Sequence, residues 1–502
     1  MAVSNLLYDA LFAAGAAEAP AIDGRFTYRQ LEAETARWAA ALAGLGVKPG
    51  DRIAVQVEKS VANLVFYLAV LRTGAIYLPL NTAYTLAELG YFIGDAEPAL
   101  IVCDPTRREG VEALGSGARV ETLDKAGEGS LADLARAAPA GFETVARGAG
   151  DLAAICYTSG TTGRSKGAML THGALHSNAA TLVREWRFTA ADVLLHALPI
   201  YHVHGLFVAT HTAMMAGASM ILLPRFEPTE VLAALPRASV MMGVPTFYTR
   251  LLAQPALTPE ASAHVRLFVS GSAPLLAATH REWETRTGEA IIERYGMTET
   301  GMNASNPYDG PRLAGAVGPA LPGVALRIAG EAGEAQAAGQ AGLVEVKGPN
   351  VFAGYWRNPE KTAEAFTADG WFRTGDLGRI DARGYLWLVG RASDLVISGG
   401  LNVYPAEVEA AIDAVPGVIE SAVIGLPHAD FGEAVTAVVV AQAEVTEADI
   451  LAALSDRLAR FKQPRRVIFV AALPRNSMGK VTKAVLRAEH AALFEAGRVT
   501  VS

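Results

Sequence analysis

The sequence predicts an α/β protein with a large N-terminal domain of layered sheets and helices and a smaller α+β C-terminal domain. Its 502 residues exceed what a single hydrophobic core usually holds. Helix and strand patterns alternate over the first 390 residues, as they do in folds built around a mostly parallel sheet. After Gly390-Arg391 the pattern changes to short strands with two helices, enough for a separate domain.

The N-terminal part carries clear start and stop signals. A helix is expected over residues 27–45, with Thr27 as its cap and glycines at its end. A turn leads into a strand at 53–55, and a helix over 62–71 precedes extended chain at 76–80. These elements support the layered α/β prediction.

The C-terminal part combines two helix patterns with short strand patterns. The helices are expected at 405–414 and 446–460, and the strands at 421–426, 434–440 and 467–470. We therefore expect a large domain over 1–390, a hinge over 391–394 and a small domain over 395–502.

Composition and charge exclude several classes of protein. Hydrophobic residues make up 51% and charged residues 19%, which is typical of a globular protein. The net charge of -8 comes without a basic run, so nucleic-acid binding is not expected. Cys103 and Cys156 lie in apolar runs, which indicates buried thiols in a reducing compartment. A signal peptide and a membrane span of ~18 apolar residues are both missing from the sequence, so we expect a soluble cytoplasmic protein.

The segment from Tyr157 to Gly167 is rich in glycine, hydroxyl and cationic side chains. Its glycines allow tight turns that bring N–H groups against an anion, and the hydroxyls and cations can contact phosphate oxygens. The preceding residues, 152–156, have the pattern of a buried strand, and α/β folds bind ligands at strand ends. The spacing differs from that of a P-loop, which disfavours a P-loop kinase or ATPase. A phosphate-binding loop of another kind is favoured over an ordinary flexible loop.

This loop resembles the phosphate-binding signature of the adenylate-forming superfamily, which includes acyl-CoA synthetases, luciferases and peptide-synthetase adenylation domains. The family's other signatures follow in order, at 295–300, 374–376, 390–400 and 474–480. The resemblance covers essentially the whole chain. It implies that ATP and a carboxylic acid form an acyl-adenylate, after which the acyl group passes to coenzyme A and AMP is released.

The resemblance also implies the residues that contact ATP. Phosphate contacts would come from Thr158, Ser159, Gly160, Thr161, Thr162 and Lys166, adenine contacts from Ser272, Ala273, Pro274 and Tyr295, and ribose contacts from Asp376 and Arg391. Thr298 would bind the α-phosphate and Glu299 would bind Mg²⁺, which suits a reaction between two anions. Without the family resemblance, the charged residues among them would be interpreted as ordinary solvated surface groups.

The small domain is implied to be mobile and to carry the catalytic lysine, Lys480. The lysine would stabilise charge developing in adenylation, a task suited to a point charge on a flexible stem. After rotation, a face near Gly399 and Gly400 would admit coenzyme A. The hinge residue of the family is typically Asp or Lys, whereas this sequence has Ser393 followed by Asp394. Rotation is expected to survive that departure.

The acid-binding part resembles that of bacterial malonyl-CoA synthetases, at 200–207, 243–250 and 302–307. A helix starting near Thr246 would place Phe247, Arg250 and Leu251 on one face. An arginine on an apolar face is costly unless paired, and its planar fork fits a carboxylate. The alternative is that Arg250 reaches water or pairs with a protein acid.

We therefore predict that Arg250 neutralises the second carboxylate of malonate. Ser270 and His204 are expected to assist it, and Met297 is expected to line the same pocket. Methylmalonate adds one methyl group, worth only ~1–3 kcal/mol, and is expected as a slower substrate. A long fatty acid is disfavoured because it would leave Arg250 unpaired.

Three alternatives stay open at this point. The chain could activate another short-chain or aromatic acid, load a carrier protein in place of coenzyme A, or be a non-catalytic nucleotide-binding relative. The presence together of Lys166, Glu299, Asp376 and Lys480 argues against the last. By resemblance, a lysine acyltransferase and a deacylase are possible partners that would remove and restore the charge of Lys480.

Overall fold

A computed structural model describes residues 5–158, 165–330, 333–399, 401–428, 430–455, 457–476 and 479–494. The chain divides into two compact units. The first comprises Met1–Ala325 with Val346–Phe372, and the second comprises Leu326–Glu345 with Arg373–Ser502.

The first unit contains two large sheets. In chain order its strands are β1 (Pro20–Ile22), β2 (Phe26–Thr27), β3 (Arg52–Gln56), β4 (Ile76–Pro79), β5 (Leu100–Cys103), β6 (Arg119–Thr122), β7 (Leu152–Thr158), β8 (Lys166–Thr171), β9 (Val193–His196), β10 (Ser219–Leu222), β11 (Val240–Gly243), β12 (Leu267–Ser270), β13 (Ile292–Met297) and β14 (Gly301–Ser305). One sheet has the order β6–β5–β3–β4–β7–β8 and is parallel except between β7 and β8. The other has the order β14–β13–β12–β11–β9–β10–β1–β2 and is antiparallel only at its two ends.

Helices connect these strands, as the alternating pattern predicts. They are α1 (Leu6–Phe12), α2 (Tyr28–Gly44), α3 (Val61–Arg72), α4 (Leu86–Ala96), α5 (Arg108–Glu112), α6 (Ser130–Ala137), α7 (His172–Glu185), α8 (His211–Met215), α9 (Pro228–Ala234), α10 (Pro245–Leu252), α11 (Pro259–Ser262), α12 (Ala277–Thr287) and α13 (Pro359–Ala365). A π-helix at His204–Thr210 leads directly into α8. The predicted cap of α2 is confirmed, because Thr27 and Gln30 form a reciprocal capping box.

The second unit has two smaller sheets and three α-helices in its described part. Its strands are β15 (Ala325–Ala329), β16 (Gly342–Lys347), β17 (Phe372–Ile380), β18 (Leu386–Arg391), β19 (Val396–Ser398), β20 (Leu401–Val403), β21 (Val418–His428), β22 (Gly432–Ala441) and β23 (Arg466–Phe469), and its helices are α14 (Pro405–Asp413), α15 (Glu447–Ser455) and α16 (Lys483–Glu489). Strands β15 to β18 form one sheet in sequence order, and β20–β19–β22–β21 form the other, with β23 beside β22. The α+β character expected of this part is confirmed.

The boundaries between the two compact units, at 325/326, 345/346 and 372/373, differ from the predicted boundary at 391. Residues 326–345 and 373–390 belong to the second unit because β15–β18 form one hydrogen-bonded sheet and α14 packs on β18. Ala392–Asp394, within the predicted hinge, form one turn of 3₁₀ helix after β18. Compactness does not define where a chain rotates, so the hinge at 391–394 stays a prediction.

Both cysteines, Cys103 and Cys156, are free and buried, as expected. Over the described ranges, the helices are too short or too polar to cross a bilayer.

Candidate active site

Two strands flank the predicted phosphate loop. Thr158 is the last residue of β7 and Lys166 the first of β8, and the two face each other across the antiparallel pair. Ser159, Gly160, Thr161 and Thr162, all predicted to contact phosphate, lie outside the described residues. The structure therefore places the two ends of the predicted loop at the same edge of the six-stranded sheet.

Helix α4 holds both flanks of this loop. The Tyr91 hydroxyl donates to the Ser165 carbonyl at 2.7 Å, and the Tyr157 hydroxyl donates to Asp95 Oδ2 at 2.5 Å. These contacts lie one turn apart on the same helix face. The loop is consequently anchored by side chains that no motif indicates.

The predicted Mg²⁺ ligand, Glu299, lies beside the loop. It is only 5% exposed and accepts hydrogen bonds from the Tyr355 hydroxyl at 3.1 Å and the Thr158 hydroxyl at 3.3 Å. Lys166 Nζ lies 4.5 Å from the centroid of the Tyr355 ring. Thr298 is half-buried in the same turn as Glu299. A buried carboxylate next to a hydroxyl provides oxygen ligands, which Mg²⁺ prefers, so these residues fit the ion.

The predicted adenine contacts lie at the carboxyl edge of the eight-stranded sheet. Tyr295 is 6% exposed on β13, and β13 runs parallel to β12, which ends at Ser270, two positions before Ser272-Ala273-Pro274. Ser272 has a φ of 71°, a left-handed conformation unusual for a residue with a side chain. Met297 ends β13 and is half-buried. Neighbouring parallel strands thus bring these segments together, as Rossmann-like sheets do at their ligand edge.

His204 and Ser270 are both deeply buried near this edge, each 1% exposed. His204 Nδ1 lies 3.3 Å from Ser272 Oγ. Within the described chain, His204 Nε2 and Ser270 Oγ have no hydrogen-bond partner. Burial, followed by the positive charge of Arg294, holds the pKa of His204 well below its usual range. A neutral imidazole and a hydroxyl are therefore available to a bound ligand.

Arg250 lies on α10, the helix expected near Thr246, but its side chain is exposed. Leu251, expected on the same face, is fully buried, and Phe247 is half-buried. The desolvation cost on which the sequence argument for Arg250 depended is therefore absent. Its role in binding the second carboxylate stays a prediction.

A second arginine, Arg294, occupies the interior of this region. It lies on β13 and is 4% exposed, and its Nε and Nη2 have no partner among the described residues. A Cβ at position 271 would lie 2.2 Å from the Arg294 guanidinium carbon, so Gly271 leaves the space that this side chain fills. Burial lowers the pKa of Arg294 to about 9. After burial, its charge is the next cause that lowers the pKa of His202 and of His204, so Arg294 acts electrostatically on both imidazoles.

The acid next to Arg294 in sequence does not neutralise it. Successive strand residues point to opposite faces, and Glu293 instead contacts His280 Nδ1 at 2.9 Å and accepts from the Gly315 N–H at 2.8 Å. Sequence reasoning missed Arg294, although a charged pair inside the apolar run of β13 was an available signal.

The second unit brings together its own predicted residues. Asp376 and Arg391 face each other across β17 and β18, with Arg391 Nε 2.6 Å from Asp376 Oδ1. Burial and then the charge of Arg391 lower the pKa of Lys480, while Asp376 and Asp394 oppose that shift. The charges of the proposed ribose-binding pair therefore act on the proposed catalytic lysine.

The segment predicted to admit coenzyme A is described only in part. Gly399 has a φ of 59°, which favours glycine, and its N–H donates to the Phe431 carbonyl at 2.8 Å. Gly400 lies outside the described residues.

Comparison with known proteins agrees with this arrangement. The family model described as AMP-binding enzyme matches residues 11–356, and the model of the AMP-binding enzyme C-terminal domain matches 407–480. The chain is similar to ATP-bound MatB from Rhodopseudomonas palustris, with 58% identity and a TM-score of 0.96 over 98% of this chain and 100% of that one. It is 35% identical to a malonate–CoA ligase of Arabidopsis thaliana over 88% of this chain and 79% of that protein. It is 36% identical to the long-chain-fatty-acid–CoA ligase FadD13 of Mycobacterium tuberculosis over 94% and 95%, respectively.

The two family models, in their expected order, cover most of the chain, and the two-unit α/β architecture matches theirs. The chain therefore belongs to the AMP-binding enzyme family.

Proposed function

We propose that the chain is an ATP-dependent malonate–CoA ligase, which forms malonyl-CoA through a malonyl-adenylate and releases AMP and pyrophosphate. The likeness to MatB and to the plant malonate–CoA ligase supports this substrate. The likeness to FadD13, a ligase for long-chain acids, shows that identity near 36% leaves the acid open. The choice between malonate and other acids therefore depends on the residues that line the acid pocket.

The observation that carries the proposal is the buried guanidinium of Arg294. A buried charge without a partner costs several kcal/mol, and in the described chain no carboxylate pairs with this one. The second carboxylate of malonate would supply the missing anion, and His204 and Ser270 offer further polar contacts. A monocarboxylic acid with an apolar tail would leave all three unsatisfied.

The proposed chemistry has two steps. A carboxylate oxygen of malonate attacks the α-phosphorus of ATP, and the bond to pyrophosphate breaks. Glu299 would hold Mg²⁺, which would supply charge neutralisation, and Thr158, Lys166 and Thr298 would orient the phosphates. In the second step the thiol sulfur of coenzyme A bonds to the malonyl carbonyl carbon, the thiol proton passes to solvent, and the bond between that carbon and the AMP phosphate oxygen breaks.

The second unit contributes the remaining proposed groups. Asp376 and Arg391 would bind the ribose, and Lys480 would stabilise the negative charge that develops in adenylation. Rotation at 391–394 would then present the face near Gly399 to coenzyme A. We also propose a cytoplasmic location, which the buried free thiols of Cys103 and Cys156 support.

An assay of the purified chain with ATP, Mg²⁺ and coenzyme A tests this function. Thioester formation is measured with acetate, malonate, methylmalonate, succinate and octanoate at equal concentrations. Malonate is expected to be the best substrate, with methylmalonate slower. Preferred turnover of octanoate would favour a fatty-acid ligase, and adenylate without thioester would favour loading of a carrier protein.

Lys480 is also a proposed site of reversible acylation, which would remove the charge needed in adenylation. Mass spectrometry of the protein from cells grown under several conditions tests this. A lysine that is always unmodified would count against acyltransferase and deacylase partners.

A further inference from the structure

The π-helix His204–Thr210 places a substrate-pocket residue at its first position. A π-helix has wider turns than an α-helix, is rare, and frequently lies at functional sites. The loop that leads to it packs tightly on its start, because a Cβ at position 205 would lie 2.1 Å from the Pro199 carbonyl oxygen. Only glycine fits there, so the position of His204 depends on how this first turn is held.

His196 holds that turn from the end of β9. Its side chain is buried, and Nε2 lies 2.9 Å from the Gly205 carbonyl oxygen and 3.2 Å from Thr210 Oγ1. The Thr210 hydroxyl also donates to the Gly205 carbonyl, at 3.1 Å. One imidazole therefore contacts both the first and the last turn of the π-helix.

Lys59 in turn holds His196. Its Nζ lies 2.9 Å from His196 Nδ1 and 2.7 Å from the His196 carbonyl oxygen, and the side chain is 6% exposed. Lys59 follows β3 of the six-stranded sheet, whereas His196 ends β9 of the eight-stranded sheet. The lysine thus joins the two sheets behind the acid pocket.

The contacts of His196 fix the tautomer of its side chain. A carbonyl oxygen can only accept, so Nε2 carries the imidazole proton and donates it to the Gly205 carbonyl. Nδ1 then accepts from the Lys59 amine, which also donates to the His196 carbonyl oxygen. Throughout the described ranges, no carboxylate forms an ion pair with Lys59, and burial holds the pKa of its amine well below the usual range.

We propose that Lys59 and His196 are positioning residues for the acid substrate, because they fix the start of the π-helix and with it the place of His204 beside Ser272. This inference rests on the proposed malonate–CoA ligase function. In the described part of the chain, neither residue forms a hydrogen bond with a predicted nucleotide contact, and both reach Ser272 only through His204, so their loss is expected to raise the KM for malonate much more than the KM for ATP.

A matched pair of substitutions at position 196 tests the proposal. The amide nitrogen of Gln reaches about where Nε2 lies, whereas the shorter Asn reaches only the position of Nδ1. His196→Gln is expected to keep the KM for malonate within about threefold, while His196→Asn raises it about tenfold or more, since a buried hydrogen bond is lost. The KM for ATP is expected to stay within twofold in both.

Lys59→Met is expected to behave like His196→Asn, because it removes both donors while keeping an unbranched side chain. Tyr67→Phe serves as the control. It removes another buried hydrogen bond, between the Tyr67 hydroxyl and His211 Nε2 at 2.7 Å, and this bond does not involve Gly205. It is expected to lower the Tm without changing the KM for malonate. If Lys59→Met, His196→Asn and Tyr67→Phe lower the Tm alike and leave that KM within twofold, the pair is only structural. Failure of the wild-type protein to turn over malonate would instead overturn the proposed function.

Discussion

The buried charge of Arg294 is central to the proposed recognition of malonate. Arg294→Met keeps an unbranched apolar stem and removes the guanidinium, so kcat/KM for malonate is expected to fall about 100-fold, as for loss of charged hydrogen bonds. The Tm is not expected to fall, because the substitution removes an uncompensated buried charge. Steady-state kinetics and thermal unfolding measure both.

Arg250→Met is the matched comparison, and Arg250→Ala tests the same residue by truncation. The sequence predicts Arg250 as the partner of the second carboxylate, but its side chain is exposed. With Arg294 as that partner instead, loss of Arg250 is expected to change kcat/KM for malonate by less than about fivefold, with nucleotide binding intact. A loss of malonate turnover in the Arg250 variants, with Arg294→Met active, would instead assign the second carboxylate to Arg250.

The charge of Lys480 leads to a prediction about pH. Burial and Arg391 lower the pKa of this amine, so its protonated form is lost at a pH below the usual value of about 10.4. The rate of adenylation is therefore expected to decline as the pH rises, and to do so at a lower pH than it would if Lys480 had the pKa of an ordinary lysine. Arg391→Gln removes the repelling charge and is expected to move that decline to higher pH, measured by ATP–pyrophosphate exchange. An unmoved profile would contradict the coupling.

For single residues, sequence motifs identify those site residues that lie close in sequence to other signature residues. Glu299, Asp376 and Lys480 were found in that way, and the structure places Glu299 beside Thr158 and Asp376 beside Arg391. Arg294 and Lys59 were not found, because their significance depends on burial and on partners from other strands. The contact between Lys59 and His196 joins residues 137 positions apart.

Among the elements, α10 shows what periodicity can and cannot decide. The helix was predicted from its sequence, but the predicted inner face, which was defined by Phe247 and Leu251, differs from the face that is buried in the structure. The buried residues Tyr248, Leu251 and Leu252 define the inner face, and Arg250 lies about 150° from its centre at 100° per residue. Which of two neighbouring faces turns inward depends on the strands beneath the helix, and the sequence pattern does not contain that information.

Helix α4 supplies a prediction about the phosphate loop. The double substitution Tyr91→Phe and Tyr157→Phe removes the hydroxyl contacts to Ser165 and Asp95. The KM for ATP is expected to rise about tenfold, with the KM for malonate unchanged, because two hydrogen bonds that anchor the loop are lost. Tyr28→Phe removes a hydroxyl bond to the Ala218 carbonyl elsewhere and serves as the control. Equal effects of both changes on the KM for ATP would refute the anchoring role.

For the whole molecule, alternation of helices and strands was enough to predict the fold class, whereas the strand order was not predictable. The eight-stranded sheet places β1 next to β10, which lies about 200 residues further along the chain, and local patterns carry no signal for such a pairing. The same limitation applies to β15–β18, whose sheet belongs to the second unit although its sequence continues the alternating pattern.

The predicted hinge can be tested by restricting one backbone angle. Proline fixes φ near the value of a 3₁₀ turn, so Ser393→Pro is compatible with the observed turn at Ala392–Asp394 but resists rotation there. Thioester formation is expected to fall at least about tenfold while ATP–pyrophosphate exchange changes little. Ser393→Ala is the control and should leave both half-reactions intact. A parallel loss of both in Ser393→Pro would argue against a hinge at this position.

The central claim is that the pocket recognises a second carboxylate, and the most direct test compares malonate with 3-methylbutanoate. The two acids have nearly the same shape, but the second carries two methyl groups in place of the distal carboxylate oxygens. The ratio of their kcat/KM values is expected to favour malonate by at least about 10³, because the uncharged acid leaves buried polar groups unpaired. Comparable values, or a preference for 3-methylbutanoate, would contradict the account.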